Sequence, residues 1–193
     1  MKVIGMIGGM SWESTTSYYQ ALNTLTNQRL GGFHSAKICL YSVDFAEIEA
    51  LQRAGEWNKM ADILSNAAKS LEAAGAECIL ICTNTMHKVA PEVQSSVSIP
   101  LLHIADPTGH ALVSNGIKKV GLLGTRFTMD QAFYRERIET NFGISVVVPS
   151  EKQQAEVHRI IYEELCHGLI LDSSKATYLD VIGSLVEQGA QAI

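Results

Sequence analysis

Lys2-Val3-Ile4-Gly5-Met6-Ile7-Gly8 and Lys119-Val120-Gly121-Leu122-Leu123-Gly124 are two versions of one pattern. Each is a short apolar run that ends in glycine and leads through hydroxyl-bearing residues into a helical period. A run of this length, apolar at odd and even positions alike, suits a strand covered on both faces of a parallel sheet. A second pair of matches follows each run after about seventy residues: Gly75-Ala76-Glu77-Cys78-Ile79 and Gly189-Ala190-Gln191-Ala192-Ile193. Both read as a Gly-Ala turn that carries a helix into a strand. Two matches at similar separation describe an internal repeat. The chain is therefore expected to form two pseudo-symmetric α/β lobes, residues 1–116 and 117–193, each a mostly parallel sheet flanked by helices, with the functional site in the cleft between them.

Working outward, short apolar runs alternate with helical patterns, as in repeated βαβ units. Strands are expected at Val3–Ile7, Ala36–Val43, Cys78–Ile81, Pro100–His103, Val120–Leu123 and Ile144–Val148. Helices are expected at Ser14–Gln28, Trp57–Ala74, Asp130–Thr140, Gln153–His167 and Ser174–Gln188. The first lobe runs on from its Gly-Ala turn into Leu80-Ile81-Cys82-Thr83-Asn84-Thr85, while the second stops at Ile193, at the start of the equivalent strand. A central strand cut there would leave its helix without a surface to pack on. The expectation is an incomplete second lobe and a longer natural chain.

The 193 residues are 47% apolar and 18% charged with a net charge of -5, an ordinary globular composition. Acidic and basic residues are interspersed, so no basic stripe marks a nucleic-acid partner and no polybasic anchor marks a membrane. No run approaches the ~18 consecutive apolar residues of a membrane span, and the N-terminal apolar run is too short for a signal peptide. Cys39, Cys78, Cys82 and Cys166 lack the spacing of a zinc site or a disulfide framework. They read as reduced thiols and make the cytoplasm the default compartment.

Ligands of open parallel sheets bind where strands end at the carboxyl edge. Three polar clusters fall there: Gly8-Gly9-Met10-Ser11, Thr83-Asn84-Thr85-Met86-His87 and Gly124-Thr125-Arg126-Phe127-Thr128. The Gly8-Gly9 turn lacks the spacing of a nucleotide cradle. Two readings of it stand: a tight turn with Ser11 or Ser14 as helix cap, or a set of backbone N–H groups that holds a carboxylate. Three consecutive hydrogen-bonding residues, Thr83-Asn84-Thr85, after a fully apolar strand suit a core poorly. They could grip an amino acid's carboxylate and ammonium while a neighbour exchanges its α-proton.

Cys78 to His87 resembles the Cys-Asn-Thr-x-His signature of the aspartate/glutamate racemase family. Gly8 to Ser14, Tyr41 to Phe45 and Pro100 to Asp106 resemble other segments of that family, so the likeness spans nearly the whole chain. It implies racemisation of an amino acid without pyridoxal phosphate or metal, by two acid/base residues on opposite faces of the α-carbon. In the register of Asn-Thr-x-His the family's catalytic cysteine falls on Thr83, with Cys82 one residue earlier. Side chains alternate along a strand, so only one of them can serve. Thiol acidity favours Cys82, whose bland alternative is a small buried hydrophobe; register favours Thr83, and we follow register. The resemblance puts the second catalytic cysteine just beyond Ile193, an asymmetric pair with unequal L-to-D and D-to-L rates.

Met10, Ser11, Gln52, Asn84, Thr85, Thr125 and Thr128 are the expected substrate-binding residues. Asp44 with Glu47 reads as a capping box, and His87 and His103 as structural histidines. Gln52 and Arg53, together with the helix end Glu163-Glu164-Leu165-Cys166-His167, are expected near the substrate's side chain. A neutral amide and a cysteine there weaken selection for acidic substrates. Other readings are a relative doing different proton chemistry (hydantoin racemisation, arylmalonate decarboxylation, maleate isomerisation) and a noncatalytic amino-acid-binding protein. A homodimer paired through one lobe is compatible with the family, although no exposed apolar stripe marks an interface.

Overall fold

In the computed structural model, which describes Met1 to Ile193 throughout, the N-terminal run forms strand β1 (Val3–Gly8). It is central because Met6 and Ile7 are fully enclosed. Strands β2 (Lys37–Ser42) and β3 (Cys78–Ile81) flank it in the order β2-β1-β3, both parallel to it. Ile4 faces Ile38 on one side and Cys78 on the other. The expected strand at Pro100–His103 shrinks to one parallel bridge, Leu101 against Ile79. Pro100 has no N–H to give to a ladder, and the segment turns into a helix at Ala105.

Helices α1 (Trp12–Leu30), α2 (Phe45–Ala54), α3 (Trp57–Ala73) and α4 (Ala90–Ser95) complete the first unit. Helix α3 buries Met60, Ala61, Leu64, Ala67, Ala68 and Leu71, spaced three and four apart as one helix face requires. They share a core with Ile7, Ile48, Ile79 and Ile81. Helix α2 has no counterpart among the expected helices, although Asp44 does cap it, accepting from the Ala46 N–H at 3.1 Å.

The second unit holds α5 (Ala105–Ser114), β4 (Lys119–Gly121), α6 (Arg126–Asp130), α7 (Ala132–Phe142), β5 (Ser145–Val147), α8 (Glu151–Glu163) and α9 (Asp172–Glu187). Strand β5 runs parallel to β4, with Val146 opposite Val120. The helix expected over Asp130–Thr140 is α7, which starts two residues later because Gln131 is extended (φ -90, ψ 147), and α6 before it has no counterpart among the expected helices. The helix expected to reach His167 ends at Glu163 and gives way to a 3-10 turn, Leu165–His167, closed by Gly168 at φ +71.

The compact units are Met1–His103 and Ile104–Ile193, so the division falls at residue 103 rather than 116. Helix α5 draws the boundary forward. Ala105 is fully buried in the second unit's core with Ile138 and Ile144, and Arg137 grips Asp106 with two hydrogen bonds of 2.6 and 2.8 Å. Gly109 makes the packing of α5 possible, since a Cβ there would lie 2.3 Å from the Phe142 ring. Gly109→Ala in an exposed helix would gain about 1 kcal/mol. Here overpacking, about 1–3 kcal/mol, should reverse the sign. Calorimetry should show a lower Tm; an unchanged or raised Tm would mean that Phe142 moves aside freely.

The internal repeat survives down to single hydrogen bonds. Ile4 faces Cys78 in unit 1, and Val120 faces Ala192 in unit 2. The Glu77 N–H donates to Val3 O at 2.8 Å, and the Gln191 N–H to Lys119 O at 2.9 Å. Side chains repeat the contact: Glu77 Oε1 accepts from Val3 N at 3.0 Å, and Gln191 Oε1 from Lys119 N at 3.2 Å. The turns enter through Gly75 (φ +90) and Gly189 (φ +91), a backbone conformation open to glycine.

Candidate active site

At the carboxyl end of β1 the chain must turn sharply into α1 beside β2. Gly9 does so at φ +91, where a Cβ would stand 2.3 Å from Val43 O. Gly8 O accepts the Val43 N–H at 3.0 Å, which ties this turn to the end of β2. Thr15 Oγ1 accepts the Gly9 N–H at 2.9 Å and donates to Ser11 O at 3.0 Å. The Gly9 amide is thus engaged within the protein rather than offered to an anion. Ser11 occupies the cap position of α1 but makes no side-chain cap bond. Ser14 Oγ lies 2.9 Å from both Ser11 O and Cys82 O, so the first turn of α1 is fastened to the end of β3. Ser11 is 7% exposed, and Met10, 4% exposed, packs in the apolar cluster of unit 1.

Cys82 and Thr83 part company at the end of β3. Cys82 continues the ladder, its N–H donating to Ile7 O at 2.9 Å, and its side chain is wholly enclosed. Loss of solvent pushes its thiol up to about 12, so it stays protonated at neutral pH. Cys82 should therefore resist alkylation at pH 8 in the folded protein and react once unfolded, as peptide mapping after iodoacetamide would show. Rapid native labelling would contradict the burial. Between about pH 9 and 12 the unfolded chain releases this proton and the folded chain keeps it, so this thiol lowers stability as pH rises through that window.

Thr83 is half-buried, Asn84 exposed and Thr85 4% exposed, as the chain leaves the strand and enters a 3-10 turn, Thr85–Val89. His87 closes that exit. Its N–H donates to Asn84 O at 3.0 Å, and its ring Nδ1 lies 2.8 Å from Thr83 O. His103, in the segment that bridges β3 through Leu101, meets the His87 ring edge to face at 4.5 Å between centroids. Both imidazoles are buried, at 1% and 7% exposure. The i,i+4 spacing of Thr83 and His87 was the available signal for this contact, and reading both histidines as isolated structural groups overlooked it.

The remaining expected residues divide between the units. Gln52 is buried on α2 at 5% exposure, whereas Arg53 is 78% exposed and grips Glu49 on its own helix. Arg53 is thus committed to a surface ion pair. In unit 2, Thr125 caps α6, its Oγ1 accepting from Thr128 N at 3.3 Å and lying 3.2 Å from Thr128 Oγ1. His158 Nδ1 accepts the next N–H, from Arg126, at 3.3 Å. Burial and then the Arg126 charge hold the His158 ring below its ordinary pKa, which keeps Nδ1 free to accept. Arg126, Phe127, Asp130, Gln131 and His158 line a cleft of about 270 Å³. Half-buried Cys166 sits in the 3-10 turn after α8. Glu164 anchors that turn through Arg159 Nη1 at 2.9 Å and Ser174 Oγ at 2.5 Å.

Chemically, unit 1 gathers a hydroxyl at the end of a buried strand, an amide and a second hydroxyl beside it, and a ring that fastens the turn. No helix is long and apolar enough to cross a membrane. Among solved structures, a candidate Asp/Glu racemase from Yersinia pestis is 55% identical, with a TM-score of 0.90 over 99% of this chain and 83% of its own. An aspartate racemase homologue from Pyrococcus horikoshii is 36% identical, with a TM-score of 0.82 over the same shares, 99% and 83%. The broad specificity amino-acid racemase RacX of Bacillus subtilis is 26% identical over 159 residues, 79% of this chain and 67% of its own. Residues 7–193 match the Asp/Glu/Hydantoin racemase family, and with a fold of parallel sheets flanked by helices shared with the two solved structures, the chain belongs to that family.

Proposed function

We propose that this protein racemises amino acids by proton transfer at the α-carbon without an organic cofactor, and that Thr83 is the acid/base group of unit 1. The observation that carries the reading is the divergence at the end of β3, where Cys82 is enclosed with its thiol held up near 12 and Thr83 lies at the strand's exit. A proton-transfer group must reach the substrate's α-carbon, and Cys82 is wholly enclosed whereas Thr83 is only half-buried. Thr83 fits best as the donor. A base on the opposite face removes the α-proton and the Thr83 hydroxyl delivers its own to the carbanion; water then reprotonates Thr83, and the hydroxide left behind takes up the proton held by the opposite base, which resets both groups. Two-base racemisation needs that opposite base, and the unit 2 strand that repeats β3 begins to pair at Ala192. Asn84, Thr85, Ser11, Thr125 and Thr128 are the proposed polar contacts to the substrate's carboxylate and ammonium, with Gln52 and Met10 beside them.

The names of the relatives favour aspartate, glutamate or a broader set of amino acids as substrates. With Arg53 committed to Glu49 and Cys166 in the turn after α8, the broader set is the better supported. A bidentate cation is what separates an acid from its neutral isostere. The test is α-proton exchange in deuterium oxide with the full-length gene product, L-aspartate, L-glutamate and neutral amino acids, without added pyridoxal phosphate. Exchange with inversion supports racemisation and ranks the substrates. Binding without exchange would leave an amino-acid-binding protein, and exchange or decarboxylation of non-amino acids alone would point to another reaction of the family.

A further inference from the structure

We propose that His87 is a positioning residue that sets the acid/base group Thr83 through a two-point clamp on its backbone, an inference that rests on the role proposed for Thr83. A carbonyl oxygen only accepts hydrogen bonds, so the 2.8 Å contact between His87 Nδ1 and Thr83 O requires the proton to sit on Nδ1. The same residue's N–H holds Asn84 O at 3.0 Å. One side chain and its own amide thus satisfy both carbonyls of the turn that presents Thr83 and Asn84. The ladder ends at Cys82 N, and the 3-10 turn begins at Thr85. Between them lie the two residues whose carbonyls His87 takes.

The clamp has a rigid backing. The His103 ring packs against the His87 ring at 4.5 Å, and Leu102 N donates to Ile79 O at 2.9 Å, so the second imidazole is carried by a neighbour of β3 in the same sheet. Both rings are at least nine-tenths buried, which excludes the water that would otherwise compete for Thr83 O. A carbonyl at that depth needs a partner in any folded protein. What a merely structural bond does not explain is the placement of the clamp on the residue proposed to carry the proton. A misplacement of about 1 Å at such a group costs on the order of 10²-fold in rate.

The experiment compares His87→Asn with His87→Leu in the full-length gene product. Asn carries an N–H at nearly the position of Nδ1, whereas Leu fills the space without a donor. The expected result is a kcat loss on the order of 30-fold for His87→Leu with KM within about twofold of wild type, since only turnover depends on the placement of Thr83. His87→Asn should restore at least a third of wild-type kcat even if its Tm falls. Equal losses in the two variants, or a His87→Leu enzyme whose kcat per folded molecule is unchanged, would overturn the proposal. Nitrogen-15 spectra of the His87 ring give a readout independent of turnover. If the wild-type protein exchanges no α-proton, the racemase reading fails on that ground alone. A ring protonated at Nδ1 in that protein would still support the clamp, and a ring with Nδ1 bare would overturn it.

Discussion

Thr83→Ala in the full-length gene product should lower racemase kcat by about 10²–10⁴-fold, the range that a positioned acid/base group contributes. Thr83→Ser keeps the hydroxyl at the strand's exit and should retain most of the activity. Thr83→Cys introduces an acid near pKa ~8.5 in place of an alcohol and should bring the two directions closer together. The expected L-to-D and D-to-L asymmetry is constrained by thermodynamics. Two enantiomers are equally stable in water, so kcat/KM must be the same in both directions for every variant, and an unequal pair can differ only in kcat with a compensating KM. Polarimetry started from each pure enantiomer measures both. Full activity in Thr83→Ala would remove the residue from the mechanism.

Gly9→Ala should be the most damaging single methyl in unit 1. The added Cβ meets Val43 O at 2.3 Å and Val43 N at 2.8 Å, backbone atoms that cannot swing aside as a side-chain tip can. The left-handed conformation at φ +91 adds about 1–2 kcal/mol for an L-residue, and the overlap about 1–3 kcal/mol more. A total of about 3 kcal/mol corresponds to a fall in Tm of roughly 6–12 °C for a chain of this size. Gly55→Ala is the control. Its φ of +72 and ψ of 19 are left-handed helical, but nothing lies within 4 Å of the new methyl, so only the conformational part applies. Equal melting shifts in the two variants would show that the contact with β2 is not what fixes this turn.

The strands were legible because their signal is local and strong. An apolar run such as Val3–Ile7 has few alternatives, and the repeat with Lys119–Gly124 doubled the evidence. Helices α2, α4, α5 and α6 were not read because they are short, and α5 carries Pro107 and Gly109, residues that argue against a helix. Pro107 sits in the first turn, where a missing N–H costs nothing, and Gly109 is required by Phe142. Neither fact shows before the partner helix is in view. At the site, the register argument for Thr83 and the alternation of Cys82 came from the sequence. The commitment of the Gly9 amide to Thr15, of Arg53 to Glu49 and of the His87 ring to Thr83 O depends on which side chains meet in space.

The matched turns at Gly75 and Gly189 show how two stretches of different sequence hold one geometry. Between them the two stretches share little beyond Gly-Ala, yet the exits from both helices bond alike: Ala76 N to Leu71 O and Ala190 N to Leu185 O, each at 3.0 Å. Where one copy uses a carboxylate, Glu77, the other uses an amide, Gln191, for the same oxygen in the same role. A carboxylate and an amide oxygen serve this contact equally well. Two stretches that differ in most of their letters thus keep one set of backbone bonds, so the geometry of the turn is held by the main chain and its acceptors rather than by any one side chain.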